Sequence, residues 1–141
     1  MYSIEDATFE EFKKLCDNSF ENSVMTKDCY DGYLFNKFMF NEEPLIIGGM
    51  IEVRDLNTEE DELYMCFAIS KDIIKHKRAV LIAGKDYFDF LSQQMPLRII
   101  VEQNNIIFDK FARHFGFKQT NFIEKNEESG IIYNVYIRRQ V

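Results

Sequence analysis

A mixed α/β sheet is the fold this sequence predicts, and three observations carry it. Stretches that alternate with period two, such as Leu45–Arg54, are interleaved with stretches of helical period, such as Thr8–Cys16 and Lys71–Met95. Hairpin chemistry lies on both sides of a strand–helix–strand unit at residues 62–102, so antiparallel and parallel neighbours share one sheet. Gly at 6 and Pro at 2 are scarce in 141 residues, which leaves no long linker and predicts a single domain over 1–141.

The elements follow in order. Tyr2-Ser3-Ile4 reads as a short strand, and Thr8-x-x-Glu11 is a capping box opening a helix with Phe9, Phe12, Leu15 and Cys16 on one side. A second short helix is expected around Ser23–Tyr30, ended by Gly32. Tyr33–Phe40, the turn Asn41-Glu42-Glu43-Pro44 and Leu45–Arg54 make a hairpin, in which Gly48-Gly49 predicts a bulge or a close backbone approach. Asp55–Asp61 is an acidic loop. Glu62–Ser70 is a strand with Leu63, Met65, Phe67 and Ile69 on one face and Tyr64, Cys66 and Ala68 on the other.

Lys71–Met95 is the long helix, stopped by Pro96, with Ala79, Val80, Ala83, Phe88, Leu91 and Met95 facing the core. Leu97–Glu102 is an apolar strand covered on both faces. Asn104-Asn105 caps a helix carrying Phe108, Phe111, Ala112 and Phe115, with Gly116 past its end. Phe117–Ile123 and Ile131–Arg138 close the sheet, joined by the turn-rich Glu124–Gly130. The order is β-α-α-β-β-β-α-β-α-β-β.

Charge and cysteine usage narrow the function. Lys+Arg 17 against Asp+Glu 24 leaves −7, a balance poorly suited to phosphate-dominated binding of nucleic acid or anionic membrane. Cys16, Cys29 and Cys66 have neither disulfide-framework nor zinc spacing and read as idle thiols of a reducing compartment. Met1–Asp6 has no basic or apolar leader pattern, and the longest apolar runs fall short of the roughly 20 residues that span a bilayer. A cytoplasmic protein is expected. His76 and His114 have no partner at metal spacing, and no Walker, Rossmann or G-x-S-x-G pattern occurs.

The element order, with Val101-x-x-x-Asn105 and then Phe111-Ala112-Arg113-His114-Phe115-Gly116-Phe117, resembles the GNAT superfamily of N-acetyltransferases. Cys66-Phe67-Ala68-Ile69-Ser70 is similar to that family's fourth strand. The resemblance implies a single GNAT-like domain: a mixed sheet with helices on both faces. It also implies acetyl-CoA in a gap where strands four and five splay, its pantetheine arm against Phe67, Ala68 and Ile69. The pyrophosphate would lie at the start of the following helix, where unpaired N–H groups and the dipole attract an anion. Asn105 carries over from the family's strand-five motif. A base or water chain would free the acceptor amine of its proton, and a Tyr would protonate the departing thiolate.

Several positions depart from the family pattern Val-x-Pro-x-x-Arg/Gln-x-x-Gly-x-Gly/Ala. From Ile69 onward the Pro falls on Lys71, the Arg/Gln on Ile74 and the first Gly on Lys77; the last small residue is Ala79. Lys75, Lys77 and Arg78 stand where they offer cations to phosphates in place of bare backbone, or form a solvated basic turn. Cations at a helix start oppose its dipole and hint at a compensating anion. The family's acid Tyr falls on Ala112; Tyr64, Tyr133 and Tyr136 are substitutes by type, or packed aromatics. The strand-four carboxylate falls near Leu63, which makes Glu62 the candidate base or, one residue out of register, the solvent-facing end of an acidic run.

Two functions are therefore expected. One is an acetyltransferase acting on a small-molecule or protein amine, with Glu62 and Tyr64 as catalytic candidates. The alternative is a catalytically degenerate GNAT-fold module that binds a protein partner, of the kind phage-encoded relatives use in the virion or in assembly.

Overall fold

Thr8 opens α1 (Phe9–Cys16) through a capping box in the computed structural model, which describes residues 2–19, 30–57 and 59–139. Its hydroxyl accepts from Glu11 N–H at 3.1 Å, and Glu11 Oε1 accepts from Thr8 N–H at 3.2 Å. The other Glu11 oxygen holds Lys37 at 2.7 Å, so one carboxylate both caps the helix and ties it to a strand. The strands are β1 (Tyr2–Ala7), β2 (Leu34–Phe40), β3 (Glu43–Asp55), β4 (Glu60–Ile69), β5 (Leu97–Glu102), β6 (Lys118–Lys125) and β7 (Ile132–Arg138). They form one seven-stranded sheet in the order β1-β2-β3-β4-β5-β7-β6, parallel at β4–β5 and antiparallel at β1–β2, β2–β3, β5–β7 and β6–β7. The expected mixed sheet is present. The second helix expected at Ser23–Tyr30 lies outside the described residues except for Tyr30.

The chain divides into two compact units: Met1–Ile51 with Cys66–Gly84, and Glu52–Met65 with Lys85–Val141. In the first unit, Phe12, Leu15, Cys16, Tyr30, Ile47 and Ala68 make one core cluster, and Phe38, Leu45, Val80 and Ala83 another. The hairpin turn is tighter than expected. Asn41 and Glu42 alone take it, both at positive φ (49° and 66°), while Glu43 and Pro44 already belong to β3. Pro44 faces Met39 beside a register shift at Phe38/Met39, one of the few strand positions where a missing N–H is tolerated. The bulge is therefore there and not at the glycines. Gly48 and Gly49 serve close approach: a Cβ on Gly49 would lie 2.7 Å from the Phe35 ring, and one on Gly48 3.0 Å from the Phe67 ring.

The second unit holds α3 (Ile106–His114), capped by Asn105, whose Oδ1 accepts from Phe108 N–H at 3.0 Å. It ends in a Schellman motif. Gly116 sits at φ 87°, Phe117 N–H donates to Ala112 C=O at 3.0 Å and Gly116 N–H to Arg113 C=O at 3.1 Å. Phe88, Phe108, Phe115 and Phe117 are buried, and rings of Phe88, Phe115 and Phe117 meet at 5.2 and 5.3 Å. Arg138 on β7 donates to Phe115 C=O at 2.6 Å, to Phe88 C=O at 2.9 Å and to Asp89 and Ser92. The long helix differs from expectation at both ends: a 3₁₀ turn, Lys71–His76, precedes α2 (Lys77–Ser92). No helix among the described residues is long and apolar enough to cross a membrane.

Candidate functional site

Glu60, Glu62 and Tyr64 alternate along β4, which puts the three on one face of the strand. The parallel ladder pairs Leu63 with Leu97, Tyr64 with Arg98 and Met65 with Ile99, so Arg98 of β5 stands beside Tyr64. Each polar residue of that face has a partner from elsewhere in the second unit. Arg139 reaches Glu60 at 3.1 Å. Arg98 Nη2 lies 2.6 Å from Glu62 Oε2 and 3.3 Å from Asp55 Oδ2, at the end of β3. Tyr64 O–H donates to Glu124 Oε2 on β6 at 2.8 Å.

Glu62 is 1% exposed, which corrects the expectation of a solvated end to the acidic run. The physical reason is Arg98, whose guanidinium lets a carboxylate be buried that would otherwise be expelled. Burial pushes the Glu62 carboxyl above the ordinary carboxylate range; Arg98 and, more weakly, Arg139 pull it back, while Asp55 and Glu60 push it further up. The Arg98–Glu62 contact is an ion pair without hydrogen-bond alignment, and Arg98 Nε has no acceptor among the described residues. With four carboxylates (Asp55, Glu60, Glu62, Glu124) against two guanidinium groups (Arg98, Arg139), the ensemble is net negative and suits a cation.

The other substitute acids are packed. Tyr133 and Tyr136 are buried, and Tyr136 O–H donates to Asp109. Burial and that bond push Tyr136 up to about 12, so it holds its proton. Ala112, at the family's acid position, is fully buried.

The expected cofactor residues fall in two places. Asn105, in the second unit, is the α3 cap described above. Phe67, Ala68 and Ile69 are buried in the first unit, and Lys75, Lys77 and Arg78 are exposed beside half-buried Ala79. The helical run begins not at the basic residues but at Ser70, 2% exposed, whose hydroxyl accepts from Asp72 N–H at 3.1 Å and whose C=O accepts from Ile73 N–H at 3.1 Å. Lys71 N–H donates to Asn18 C=O at 3.0 Å, and Ser70 bridges Ser19. Asp72 supplies the anion of the first turn and meets Lys75 at 3.5 Å, which answers the hint of a compensating charge. His76 lies 3.7 Å from Glu43, and its ring packs tilted against Phe40, the centroids 4.6 Å apart.

Whether this region fits a CoA diphosphate has a divided answer. The first amides of the run already have acceptors, so a backbone cradle does not fit. The donor chemistry of exposed Lys75, Lys77 and Arg78 does fit, through side chains. Asp55, Arg98, Glu124 and Arg139 were missed by the sequence reading. Only Arg98, a lone charge inside an apolar strand, left a signal there. Among the described residues no group of His, Cys, Asp and Glu could hold a metal ion.

No protein-family model and no curated protein matches the sequence. Solved structures do match over nearly the whole chain. An N-acetyltransferase from Staphylococcus aureus Mu50 is 17% identical, with 99% of this chain and 97% of that one covered and a TM-score of 0.69. The ribosomal-protein-S18-alanine N-acetyltransferase from Escherichia coli is 13% identical over 100% and 96%, with a TM-score of 0.64. A chain of the NatC complex bound to Gag peptide and CoA is 12% identical over 99% of each, with a TM-score of 0.73. With its seven-strand order and its β4–β5 parallel ladder, the chain has the GNAT α/β fold.

Proposed function

We propose that this protein is a GNAT-type acyltransferase that takes acetyl-CoA and modifies an amine. The observation that carries the reading is the polar, net-negative face of β4 within this fold. When bound, acetyl-CoA supplies the activated acyl thioester. Lys75, Lys77 and Arg78 hold its phosphates by charge, and the bonded helix-start amides take no part. The acidic face draws in the ammonium form of the acceptor. Tyr64, half-buried, is the proton-handling group that the acceptor meets. Glu62 is too deeply buried to touch it, and its charge, balanced by Arg98, sets the potential of the face.

The test is calorimetry with CoA at low and moderate salt. Recognition by side-chain cations predicts binding that weakens with salt and weakens further in Lys77→Glu/Arg78→Glu. Acetyl-CoA should also raise the melting temperature, as expected of a ligand that stabilises by ~2.7 kcal/mol at ~100 times its dissociation constant. No heat and no shift at millimolar CoA would overturn the reading.

A second reading has its own support. The internally satisfied helix start and the alanine at the acid position suit a GNAT-fold module that binds a protein partner, including one of virion or assembly type. That reading predicts silence toward CoA and a partner recovered by pull-down.

A further inference from the structure

We infer that a cavity at the N-terminal end of α1 is a binding site for a small organic cation, an ammonium carrying alkyl groups. The inference stands apart from the acyl-transfer reading. The cavity has a volume of about 480 Å³ and lies wholly within the first unit, between the start of α1 and the chain entering β2. That volume falls in the range of small-molecule sites. Local structure brings its walls together. The β1–β2 register sets Ala7 opposite Phe35, and Gly32, at φ 85°, turns the chain so that Tyr33 N–H donates to Tyr30 C=O at 3.0 Å. The apolar part of the lining is aromatic: Phe9 from α1, Phe35 from β2, and Tyr30 and Tyr33 from the chain between. The Phe9 ring lies 5.4 Å from that of Tyr30 and 6.1 Å from that of Phe35, and buried Phe12 backs Phe35 at 5.3 Å.

Charge decides which ligand those rings suit. Every charged side chain lining the cavity is an exposed carboxylate: Asp6, Glu10 and Asp31. Lys37, on the neighbouring strand opposite Glu5, is held by Glu11 at 2.7 Å. A helix start by itself favours an anion. Here its amides are taken: Glu11 N–H donates to the Thr8 hydroxyl at 3.1 Å, and Thr8 N–H to Glu11 Oε1 at 3.2 Å. Glu10 and Glu11 add negative charge to the first turn. Ring faces attract a cation through their quadrupole, and carboxylates at the rim raise its local concentration. A bare ion would shed tightly held water to meet apolar rings, whereas an alkylated ammonium loses little and buries carbon. The cavity is separate from the candidate phosphate cations. α1 has eight residues and so is ~12 Å long. Beyond its other end, Ser19 bridges Ser70, where the run carrying Lys75, Lys77 and Arg78 begins.

Choline is the probe, and 3,3-dimethylbutan-1-ol, the same shape with carbon in place of the charged nitrogen, is its neutral control. Calorimetry on the full chain measures both affinities, and amide chemical shifts report where each compound binds. Choline should bind ~5-fold or more tighter than the alcohol, by a margin that shrinks with salt. It should shift the amides of residues 8–10 and 31–35. Asp6→Asn/Asp31→Asn should bring choline down toward the affinity of the alcohol. Both positions are exposed, so the melting temperature should hold. Phe9→Leu, which keeps apolar volume and removes a ring face, should weaken choline ~2–5-fold and leave the alcohol nearly unchanged. Equal affinity for choline and the alcohol, choline binding indifferent to the Asp6→Asn/Asp31→Asn variant, or shifts confined to other amides would each overturn the inference. So would the absence of choline binding in both measurements. None of these outcomes bears on CoA binding, which is tested separately.

Discussion

Replacing Arg98 by Met tests the electrostatics of the β4 face directly. Arg98 sits 2.6 Å from Glu62 and 3.3 Å from Asp55, with Glu62 1% exposed and the Arg98 side chain 24% exposed. Removing one partner of a buried pair strands the other, at about 3–5 kcal/mol. Because the guanidinium is partly in contact with solvent, the lower end applies, about 3 kcal/mol near pH 7.5. The pH dependence has a definite sign. The Glu62 carboxyl is raised in the fold, so the folded chain takes up this proton before the unfolded chain does. Its contribution to stability is complete below the ordinary carboxylate value and is lost as pH rises through the folded one. Loss of Arg98 raises the folded value further, so the penalty in Arg98→Met should shrink between pH 7.5 and pH 5. Urea unfolding followed by circular dichroism at both values measures it, and adding Glu62→Gln should recover much of the loss at pH 7.5. An equal penalty at both pH values, or no recovery with Glu62→Gln, would refute the account of a stranded carboxylate.

Two further substitutions probe packing. Gly49→Ala places a methyl 2.7 Å from the Phe35 ring and 3.1 Å from Cys66 Sγ, and should cost about 1–3 kcal/mol in denaturant titration. Ala112→Tyr, which would restore the family's acid by sequence, instead forces a ring into a fully buried site. It should lower the melting temperature without creating activity; a stable and faster variant would show that the helix can turn this position outward.

The ends of α1 and α3 were legible because capping is a local matter. A Thr-x-x-Glu box and an Asn–Gly pair satisfy their own backbone groups within a few residues, whatever packs around them. The β5 limits, Leu97–Glu102, were legible for a similar reason, since Pro96 and the Asn104-Asn105 pair bracket an apolar run. The split of the long helix was not legible. Its first turn is shaped by Asn18 and Ser19, about fifty positions away in sequence, through the Lys71 hydrogen bond and the Ser70 bridge.

The candidate site shows the same division. Periodicity placed Tyr64 on a face of β4 and marked Glu62 beside it, because alternation is a property of any strand. It did not show that Glu62 is buried. That depends on Arg98, thirty-six positions later, and on the register that sets Tyr64 opposite Arg98. Nor did it show Glu124, which looked like part of a turn until β6 extended through Lys125 and Tyr64 met it. By itself, then, the sequence determined, over most of the described residues, which segments are helix and strand and hence the mixed α/β order of the sheet, because caps, turns and periods act over a few residues. Only the tertiary structure decided which charges are paired, which are buried and which proton points where. Those depend on Coulomb and desolvation energies between groups that register brings within 3.5 Å and sequence keeps far apart.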